Sequence, residues 1–590
     1  MDQQERLFSK ILVANRGEIA LRVMRAAREL GIGTVAVYGD GELEAPHVRY
    51  ADEAYRIEST RTLPYLDIDA LIAIARTSGA EAVHPGYGFL AENPDFARAC
   101  SAAGLVFIGP SPEAIAAMGD KVAARRVAND AGAPVVPGSL DAVDVEGARR
   151  FADEHGYPIA IKASAGGGGR GFRVAWGPAE IEEAYRGAAG EAERYFGDPT
   201  VYVERYLDQP RHIEIQVFAD THGNAVSLGE RDCSVQRRHQ KLIEESPSPA
   251  IDAETRRRMG EVAVALARAV GYVGAGTVEF LYQDQAFYFL EMNTRIQVEH
   301  PVTELITGID LVAEQIRVAA GLPLSFTSEV PFSGHAIECR INAEDAARGF
   351  APGPGVVTEY VPPSGFGVRV DSAAVAGYHI LPQYDSLVAK LIVWGRTRDE
   401  ALRRMRRALT DFQVVGVPTT IPFHLAVITH PVFGSGDYST RFLEQHPEIL
   451  EGIIAHVPAA PPADEDGATP ALSDEYYVEV GGKRFAVRLY SRGQQRDARR
   501  PTTATKPART HVARPSGGSG DMVSPIQGTV LSVAVGPGDT VAAGDLICVI
   551  EAMKMENEMT APCDGIVRVV DVAPGQTVQI GSHLATIEPA

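Results

Sequence analysis

Apolar residues along the chain recur with two periods. KILVAN (Lys10 to Asn15), with four apolar residues in succession, reads as a buried strand. In RGEIALRVMRAARELG, which follows, Ile19, Val23, Met24, Ala27 and Leu30 fall on one face of a helix, and TVAVY then returns to strand character. Together these three stretches make a βαβ start. A second pattern begins near residue 115: MGDKVAARRVANDAGAPVVPG opens as a helix and stops in Pro and Gly, and YPIAIKAS is a strand reaching Lys162. VYVERYL is a strand, and so is PRHIEIQVFAD, with His212 and Glu214 on one face. TVEFLYQDQAFYFLEMN reads as two strands turned near Gln283 to Gln285. Beyond them Glu291, Asn293, Arg295, Gln297 and Glu299 alternate with Met292, Thr294, Ile296 and Val298; if this segment is extended, the five polar side chains share one side.

After residue 448 the patterning loosens. VPAAPPADEDGATP is a Pro/Ala/acidic linker, YYVEVGGKRFAVRLY is a hairpin turned at Gly481-Gly482, and Arg492 to Arg514 carries seven basic residues and one acidic. We expect the hairpin to belong to a partner-docking element and the basic stretch to be a flexible tether. A repeat follows. Pro525, Gly528, Val530, Val533, Pro537, Gly538, Thr540, Val541, Gly544, Ile550 and Glu551 recur 37 positions later as Pro562, Gly565, Val567, Val570, Pro574, Gly575, Thr577, Val578, Gly581, Ile587 and Glu588. Val and Ile alternate with small or polar residues between Pro-Gly turns, which predicts a small all-β unit of two similar halves. EAMKMEN lies at the junction and puts Lys554 on an exposed turn between Met553 and Met555.

Length and composition narrow the function classes. At 590 residues the chain exceeds a single core, and a net charge of -21 argues against a general nucleic-acid or anionic-membrane binder. The five cysteines are scattered, the first ten residues suit neither a signal nor a transit peptide, and no apolar run is long enough to span a membrane, so a cytoplasmic protein is expected. Of 56 basic residues eight are lysines, at positions 10, 121, 162, 241, 390, 483, 506 and 554. Where arginine supplies most positive charge, a retained lysine marks a need for a compact ammonium or an acylable amine.

The residues themselves nominate several sites. AGGGGRG (Ala165 to Gly171) follows the strand that ends at Lys162 and can turn backbone N–H groups toward a phosphate chain, although no GK[ST] follows as in a Walker motif. Arg231, Arg237, Arg238, His239 and Lys241 cluster within eleven residues, an expected anion site. Glu279 can stand beside Glu291 on paired strands, and two carboxylates with the Asn293 amide oxygen suit Mg²⁺. Arg295 offers a bidentate fork, and Glu299 is left as a candidate base. Cys233 and Cys339 are read as small buried residues.

Two resemblances tie these features together. EAMKMEN and its repeat resemble the biotinyl domain of biotin-dependent carboxylases, in which the lysine of AMKM carries biotin. Lys121, Lys162, GGGGRG, RDCSVQRRHQK, EFLYQDQAFYFLEMNTRIQVEHPVTE and ECRINAED are similar, in order and spacing, to ATP-grasp biotin carboxylases over residues 1 to about 447. The resemblance implies an α/β (α+β) ATP-grasp fold with an N-terminal βαβ domain, a linker and a small all-β biotinyl barrel-sandwich. The expected divisions are 1–114, 115–330 with a glycine-rich lid, 331–447, 448–521 and 522–590.

By that resemblance ATP is bound by Lys121, Lys162, Gly167, Gly168, Gly169, Glu204, Arg205, Leu207, His212, Gln236, His239 and Leu281; Arg205 stands where many relatives have lysine. Glu279, Glu291 and Asn293 would hold Mg²⁺ or Mn²⁺. Lys241, Arg295, Gln297 and Val298 would bind bicarbonate, with Glu299 as base. Tyr87 and Gly88, from the loop HPGYGFLAEN, and Arg340 would border biotin, itself carried on Lys554. The implied reaction deprotonates bicarbonate, forms carboxyphosphate from ATP and carboxylates the chain's own biotin, with Arg340 stabilising the biotin enolate. No carboxyltransferase fits in the remaining residues. The resemblance therefore implies an α subunit that passes CO₂ to acetyl-CoA or propionyl-CoA on a separate carboxyltransferase β subunit, in a hetero-oligomer, after modification by biotin protein ligase. Other readings are a 3-methylcrotonyl-CoA or pyruvate carboxylase subunit, an ATP-grasp ligase joining a carboxylate to an amine, and a biotin carrier whose ATP-grasp region is inactive.

Overall fold

The computed structural model describes residues 7–139, 141–163, 172–196, 198–238, 240–326, 330–455, 471–480, 483–491, 521–524, 528–552, 555–578 and 581–589. The chain forms two compact units, the first holding the residues up to Ile453 and the second most of those from Ile454 on. The first opens with the expected βαβ start. Lys10–Val13 pairs in parallel with Gly33–Tyr38 on one side and Ala82–His84 on the other, and Glu53–Arg56 and Val106–Phe107 complete a five-stranded parallel sheet. Both faces of this sheet are covered. Ile11 and Val13 pack in one apolar cluster with Ile19, Val23 and Met24 of the helix Gly17–Glu29, while Leu12 packs in a second with Val35, Val37 and Phe96. Burial on two faces is why KILV has no alternation, and each fully buried aliphatic side chain contributes about 2 kcal/mol.

A three-stranded antiparallel sheet, with Ile159–Ala163 between Phe172–Ala175 and Val201–Arg205, has a small core of its own. The glycine run Ala165 to Gly171 lies outside the described residues.

The largest element is an eight-stranded antiparallel sheet. Its order is Ala286–Asn293, Gly274–Gln283, Arg211–Ala219, Ala225–Arg237, Gln240–Ser246, His335–Asn342, Leu387–Gly395 and Val368–Ser372. One apolar face is closed by the helix Ala253–Ala269, through Met259, Ala263 and Leu266 on Ile213, Ile215, Val278 and Phe280. Further along, the helix Arg398–Asp411 packs Ala401, Met405 and Leu409 on Ile337, Cys339 and Leu391. Strands from either side of residue 330 thus belong to one sheet. No described helix is long and apolar enough to cross a membrane.

In the second unit Ala471–Val480 pairs with Lys483–Ser491 from Val480–Lys483 outward, as a hairpin at Gly481-Gly482 requires; the two glycines lie outside the described residues. The repeat folds into two four-stranded sheets. One runs Asp521–Val523, His583–Pro589, Gly565–Val570, Thr540–Val541, and the other Met555–Thr560, Leu546–Ala552, Gly528–Val533, Thr577–Val578. The pairing obeys the repeat: Thr540 faces Ile566 and Val541 faces Gly565, just as Thr577 faces Thr529 and Val578 faces Gly528. Lys554 falls between Leu546–Ala552 and Met555–Thr560, outside the described residues.

Candidate active site

The register of the large sheet assembles the site. Across four neighbouring strands Arg231, Glu214, Glu279 and Glu291 stand side by side. One row over are Gln216, Thr277 and Asn293, and in the row on the other side His212, Leu281 and Tyr288. Because side chains alternate, these rows share the face opposite the helix Ala253–Ala269. The register shifts between the pairs Glu279–Glu291 and Phe280–Phe289, leaving Leu290 as an extra residue. This bulge lets Phe289 and Met292 both enter the core, three positions apart, while Glu291 stays beside Glu279.

Extension does not continue to Glu299. The strand ends at Asn293, and the helix His300–Thr307, with Pro301 in its first turn, begins directly after Glu299. The alternate positions also lack a wet face, since Asn293, Thr294, Ile296, Gln297 and Glu299 are all buried whereas Glu291 is exposed. The polar residues converge because the segment bends over the sheet.

At the centre, Lys241 Nζ donates to Glu214 Oε2 at 2.5 Å, Glu279 Oε1 at 2.8 Å and Glu299 Oε1 at 2.7 Å. Glu299 Oε2 accepts from Arg340 Nη2 at 2.8 Å, and Arg340 Nε donates to Glu244 Oε1 at 2.5 Å. Burial opposes the charge on Glu299, yet Lys241, Arg340 and Arg231 outweigh it and hold the carboxyl well below the usual range. For Lys241 burial is likewise overcome, by Glu214, Glu279 and Glu299, which push the ammonium well up. His212 Nε2 lies 2.9 Å from Glu279 Oε2; burial works against its charged form, and Glu279 reverses the balance and raises it. Behind Arg340, its carbonyl accepts from Thr420 Oγ1 at 2.8 Å and lies 2.7 Å from His424 Nε2.

Arg231 differs from the expectation of a joint anion site. It is fully buried, and its guanidinium donates to Glu214 Oε1 at 2.5 Å, Gln216 Oε1 at 2.6 Å, Gln297 Oε1 at 2.7 Å, and Thr277 Oγ1 and Thr303 Oγ1 at 3.0 Å. It holds acceptors in place rather than facing a ligand. Arg237 instead donates to Gly349 O and lies over Phe350, and His239 is outside the described residues. The cluster therefore divides: Arg231 and Lys241 both stand among the carboxylates, and Arg237 does not.

The segment Thr294 to Glu299 is tied down by the N-terminal region. Glu92 accepts from Thr294 N and from Arg295 Nε, both at 2.9 Å, and Arg295 Nη2 donates to Asn293 Oδ1 at 2.8 Å. Asn15 Nδ2 donates to Pro85 O at 2.7 Å and Tyr87 O at 2.8 Å, which fixes the loop that carries Tyr87, Gly88 and Glu92. The Tyr87 hydroxyl bonds Glu18, and Gly88 takes a positive φ of 71°. Lys390, fully buried, is 3.2 Å from Glu18 Oε1 and donates to the Val298 carbonyl at 3.0 Å. Tyr87, Arg340 and Glu299 are thereby linked through Glu18, Lys390 and Val298.

Glu204 is paired with Lys162 and lies 3.4 Å from Arg125 on the three-stranded sheet. Arg205 ends that strand, Leu207 is buried, and Gln236, which faces Lys241 across the strand pair, and Leu281 are half-buried. Lys121 opens the helix Lys121–Asp130, while Gly167, Gly168 and Gly169 lie outside the described residues. Sequence reasoning had nominated neither Glu92, Glu244 nor Lys390. Lysine scarcity was the one signal that could have found Lys390.

Glu279, Glu291 and the Asn293 amide form an all-oxygen donor set, which fits a hard cation such as Mg²⁺ or Mn²⁺. Glu279 and Glu291 are cross-strand partners, Asn293 Nδ2 donates to Glu279 Oε1 at 3.0 Å, and Asn293 Oδ1, the oxygen that would ligate a cation, accepts from Arg295 Nη2. Cys233 and Cys339 are fully buried, and burial pushes both thiols far up, which suits packing rather than nucleophilic chemistry.

Four family models match the chain: "Biotin carboxylase, N-terminal domain" over residues 7–115, "Carbamoyl-phosphate synthase L chain, ATP binding domain" over 120–327, "Biotin carboxylase C-terminal domain" over 338–445, and "Biotin-requiring enzyme" over 520–587. The chain is 49% identical over 565 residues to the biotin-dependent acyl-coenzyme A carboxylase alpha3 subunit of Mycobacterium leprae, covering 93% of this chain and 94% of that one. It is 41% identical over 654 residues to the propionyl-CoA carboxylase alpha chain of Ruegeria pomeroyi, covering 93% and 95%. Among solved structures, the biotin carboxylase domain of a thermophilic 2-oxoglutarate carboxylase, bound to bicarbonate, matches with a TM-score of 0.73 and 49% identity over 75% of this chain and 99% of that one. The chain belongs to the biotin-dependent carboxylase family: it joins an ATP-grasp biotin carboxylase to a biotin carrier domain and is homologous to acyl-CoA carboxylase alpha subunits.

Proposed function

We propose that the chain uses ATP and bicarbonate to carboxylate biotin attached to its own Lys554, and that acetyl-CoA or propionyl-CoA is the final acceptor on a separate carboxyltransferase β subunit. The observation that carries the local chemistry is Glu299, shared between Lys241 and Arg340 at 2.7 and 2.8 Å. Bicarbonate entering beside Lys241, Arg295 and Gln297 competes for the same cations. As it takes them, Glu299 loses part of the field that holds it ionised, and its proton affinity rises when there is a proton to accept. The bicarbonate so deprotonated attacks the γ-phosphate, with Lys121, Lys162, His239 and the glycine run about the phosphates and Glu204, Arg205, Leu207, His212, Gln236 and Leu281 about the nucleoside. Mg²⁺ held by Glu279, Glu291 and Asn293 would supply charge neutralisation at those phosphates. Arg340, freed from Glu299 as that carboxyl takes its proton, turns to the ureido oxygen of biotin near Tyr87 and Gly88.

We further assign residues 1–114, 115–330 and 331–447 to the carboxylase, 448–521 to a linker with a docking hairpin, and 522–590 to the carrier, the whole working in the cytoplasm in a hetero-oligomer after biotin protein ligase has modified Lys554. The near-full-length match to subunits named for acyl-CoA favours that acceptor class over pyruvate.

Bicarbonate-dependent ATP cleavage stimulated by free biotin tests the reading. Glu299→Gln is expected to lower it by about 10²- to 10⁴-fold, the usual loss for a positioned base. Wild-type rates in that variant would place the base elsewhere, and amine-dependent cleavage without bicarbonate would indicate an ATP-grasp ligase instead. Co-purified partner assayed against several acyl-CoAs and pyruvate identifies the acceptor.

A further inference from the structure

Glu338 lies on the strand His335–Asn342, two residues before Arg340, and the reaction outlined above does not use it. Its side chain is fully buried, and among the described residues neither carboxyl oxygen has a hydrogen-bond partner. The residue facing it across the strand pair is Glu244, also fully buried, whose Oε1 is 2.5 Å from Arg340 and whose Oε2 likewise has no hydrogen-bond partner among the described residues. Two carboxylates thus stand side by side on the face that carries Arg340.

The charged groups around Glu338 are Lys390, Glu244, Arg340 and Glu299. Both cations are engaged elsewhere. Lys390 is 3.2 Å from Glu18, 3.8 Å from Asp371 and bonded to Val298 O, and Arg340 divides its fork between Glu244 and Glu299. An ionised carboxylate without hydrogen bonds is strongly disfavoured in such a place, and two adjacent carboxylates do not both ionise readily.

We propose that Glu338 is held as a neutral carboxylic acid, and that its lack of charge keeps it from drawing Arg340 away, so that the arginine rests on Glu299 and passes to biotin when Glu299 is protonated, which makes Glu338 a positioning residue for the biotin-facing arginine. The proposal rests on the reading of Arg340 given above. Burial pushes Glu338 well above the usual carboxylate range; Lys390 and Arg340 pull it down, and Glu244 and Glu299 oppose them, while Glu244 itself, raised by burial, stands at about 7. A raised acid is neutral below its own pKa and gains charge as pH rises. A charged Glu338 would compete with Glu299 for Arg340, so the hold on biotin should weaken on the alkaline side.

Difference infrared spectra of the full chain, wild type minus Glu338→Gln, are expected to show a protonated carboxylic-acid carbonyl band at neutral pH; a carboxylate band in its place overturns the proposal. In bicarbonate-dependent ATP cleavage, the KM for free biotin of the wild type should climb with pH, by up to about tenfold per pH unit once Glu338 titrates, with kcat changing less. In Glu338→Gln that climb should be absent, and a parallel climb in both proteins overturns the positioning role. Glu244→Gln removes the neighbouring charge and should move the climb to lower pH; an unmoved climb counts against the pair. If the infrared band is present while Arg340→Lys leaves the biotin KM unchanged, the reading of Arg340 has failed and the assignment of the proton has not.

Discussion

Replacing Arg231 by methionine removes the centre of the polar scaffold without opening a large void. The guanidinium has no exposed surface and makes five side-chain hydrogen bonds, one of them to the Glu214 carboxylate at 2.5 Å. In Arg231→Met, Glu214 keeps Lys241 but loses its bond at Oε1, and the amide oxygens of Gln216 and Gln297 are left without the donor that holds them. Breaking a buried ion pair by removing one partner costs about 3–5 kcal/mol. Each orphaned buried acceptor costs about 1–3 kcal/mol, but neighbouring losses do not add, so a total near 5 kcal/mol is expected, more than a thousandfold in the opening equilibrium.

Urea unfolding followed by tryptophan emission measures this, because one of the two tryptophans, Trp394, lies on a strand of the same sheet. The transition should move to much lower urea with an unchanged slope. Adding Glu214→Gln to Arg231→Met should cost less than the sum of the single changes, since the second change removes a charge the first has orphaned. A shift worth under about 1 kcal/mol in Arg231→Met, or additivity in the double variant, would refute the view that Arg231 holds the carboxylates in place.

Two further outcomes are expected. Burial pushes His424 down to about 4 from an ordinary 6.5, so the unfolded chain takes up a proton there before the folded one does. Stability from this residue is complete above about pH 6.5 and falls as pH drops toward 4, by about 3 kcal/mol, and urea midpoints of His424→Gln across that window should fall correspondingly less than those of the wild type. Gly538 and Gly575 occupy equivalent turns with φ of 101° and 86° and open space where a Cβ would stand. Alanine at either should cost about 1–2 kcal/mol from backbone strain alone, and equal melting shifts for the two variants check the equivalence.

Much of this architecture is legible in the sequence wherever a local pattern has a single physical cause. Ile11, Leu12 and Val13 are apolar in succession because their strand is covered on two faces, and the pairing of Glu279 with Glu291 follows from a short turn between adjacent strands. What could not be read depends on distant contacts. Arg231 looks like part of an exposed basic run until two strands, the bend at Gln297 and the helix His300–Thr307 surround it with acceptors. Glu92 is 203 positions from Arg295, and nothing near either residue announces their contact. The alternation from Glu291 to Glu299 misled because a polar residue at every second position does not require an extended chain. Pro301 starts a helix there, and the side chains meet by bending instead.

The two sheets of the carrier repeat have a consequence for how that unit came to exist. In each sheet the two inner strands come from one half of the repeat and both outer strands from the other, so Thr540–Val541 closes an edge beside Gly565–Val570 while Thr577–Val578 closes the matching edge beside Gly528–Val533. Neither half could complete a sheet alone, because each would expose two bare inner strands and have nothing for its own outer strands to pair with. An ancestral half would have been a viable protein only as a pair of identical chains trading their outer strands. The domain has the arrangement that such a pair would take if joined in one polypeptide, and Lys554 falls in sequence between the first copy and the second.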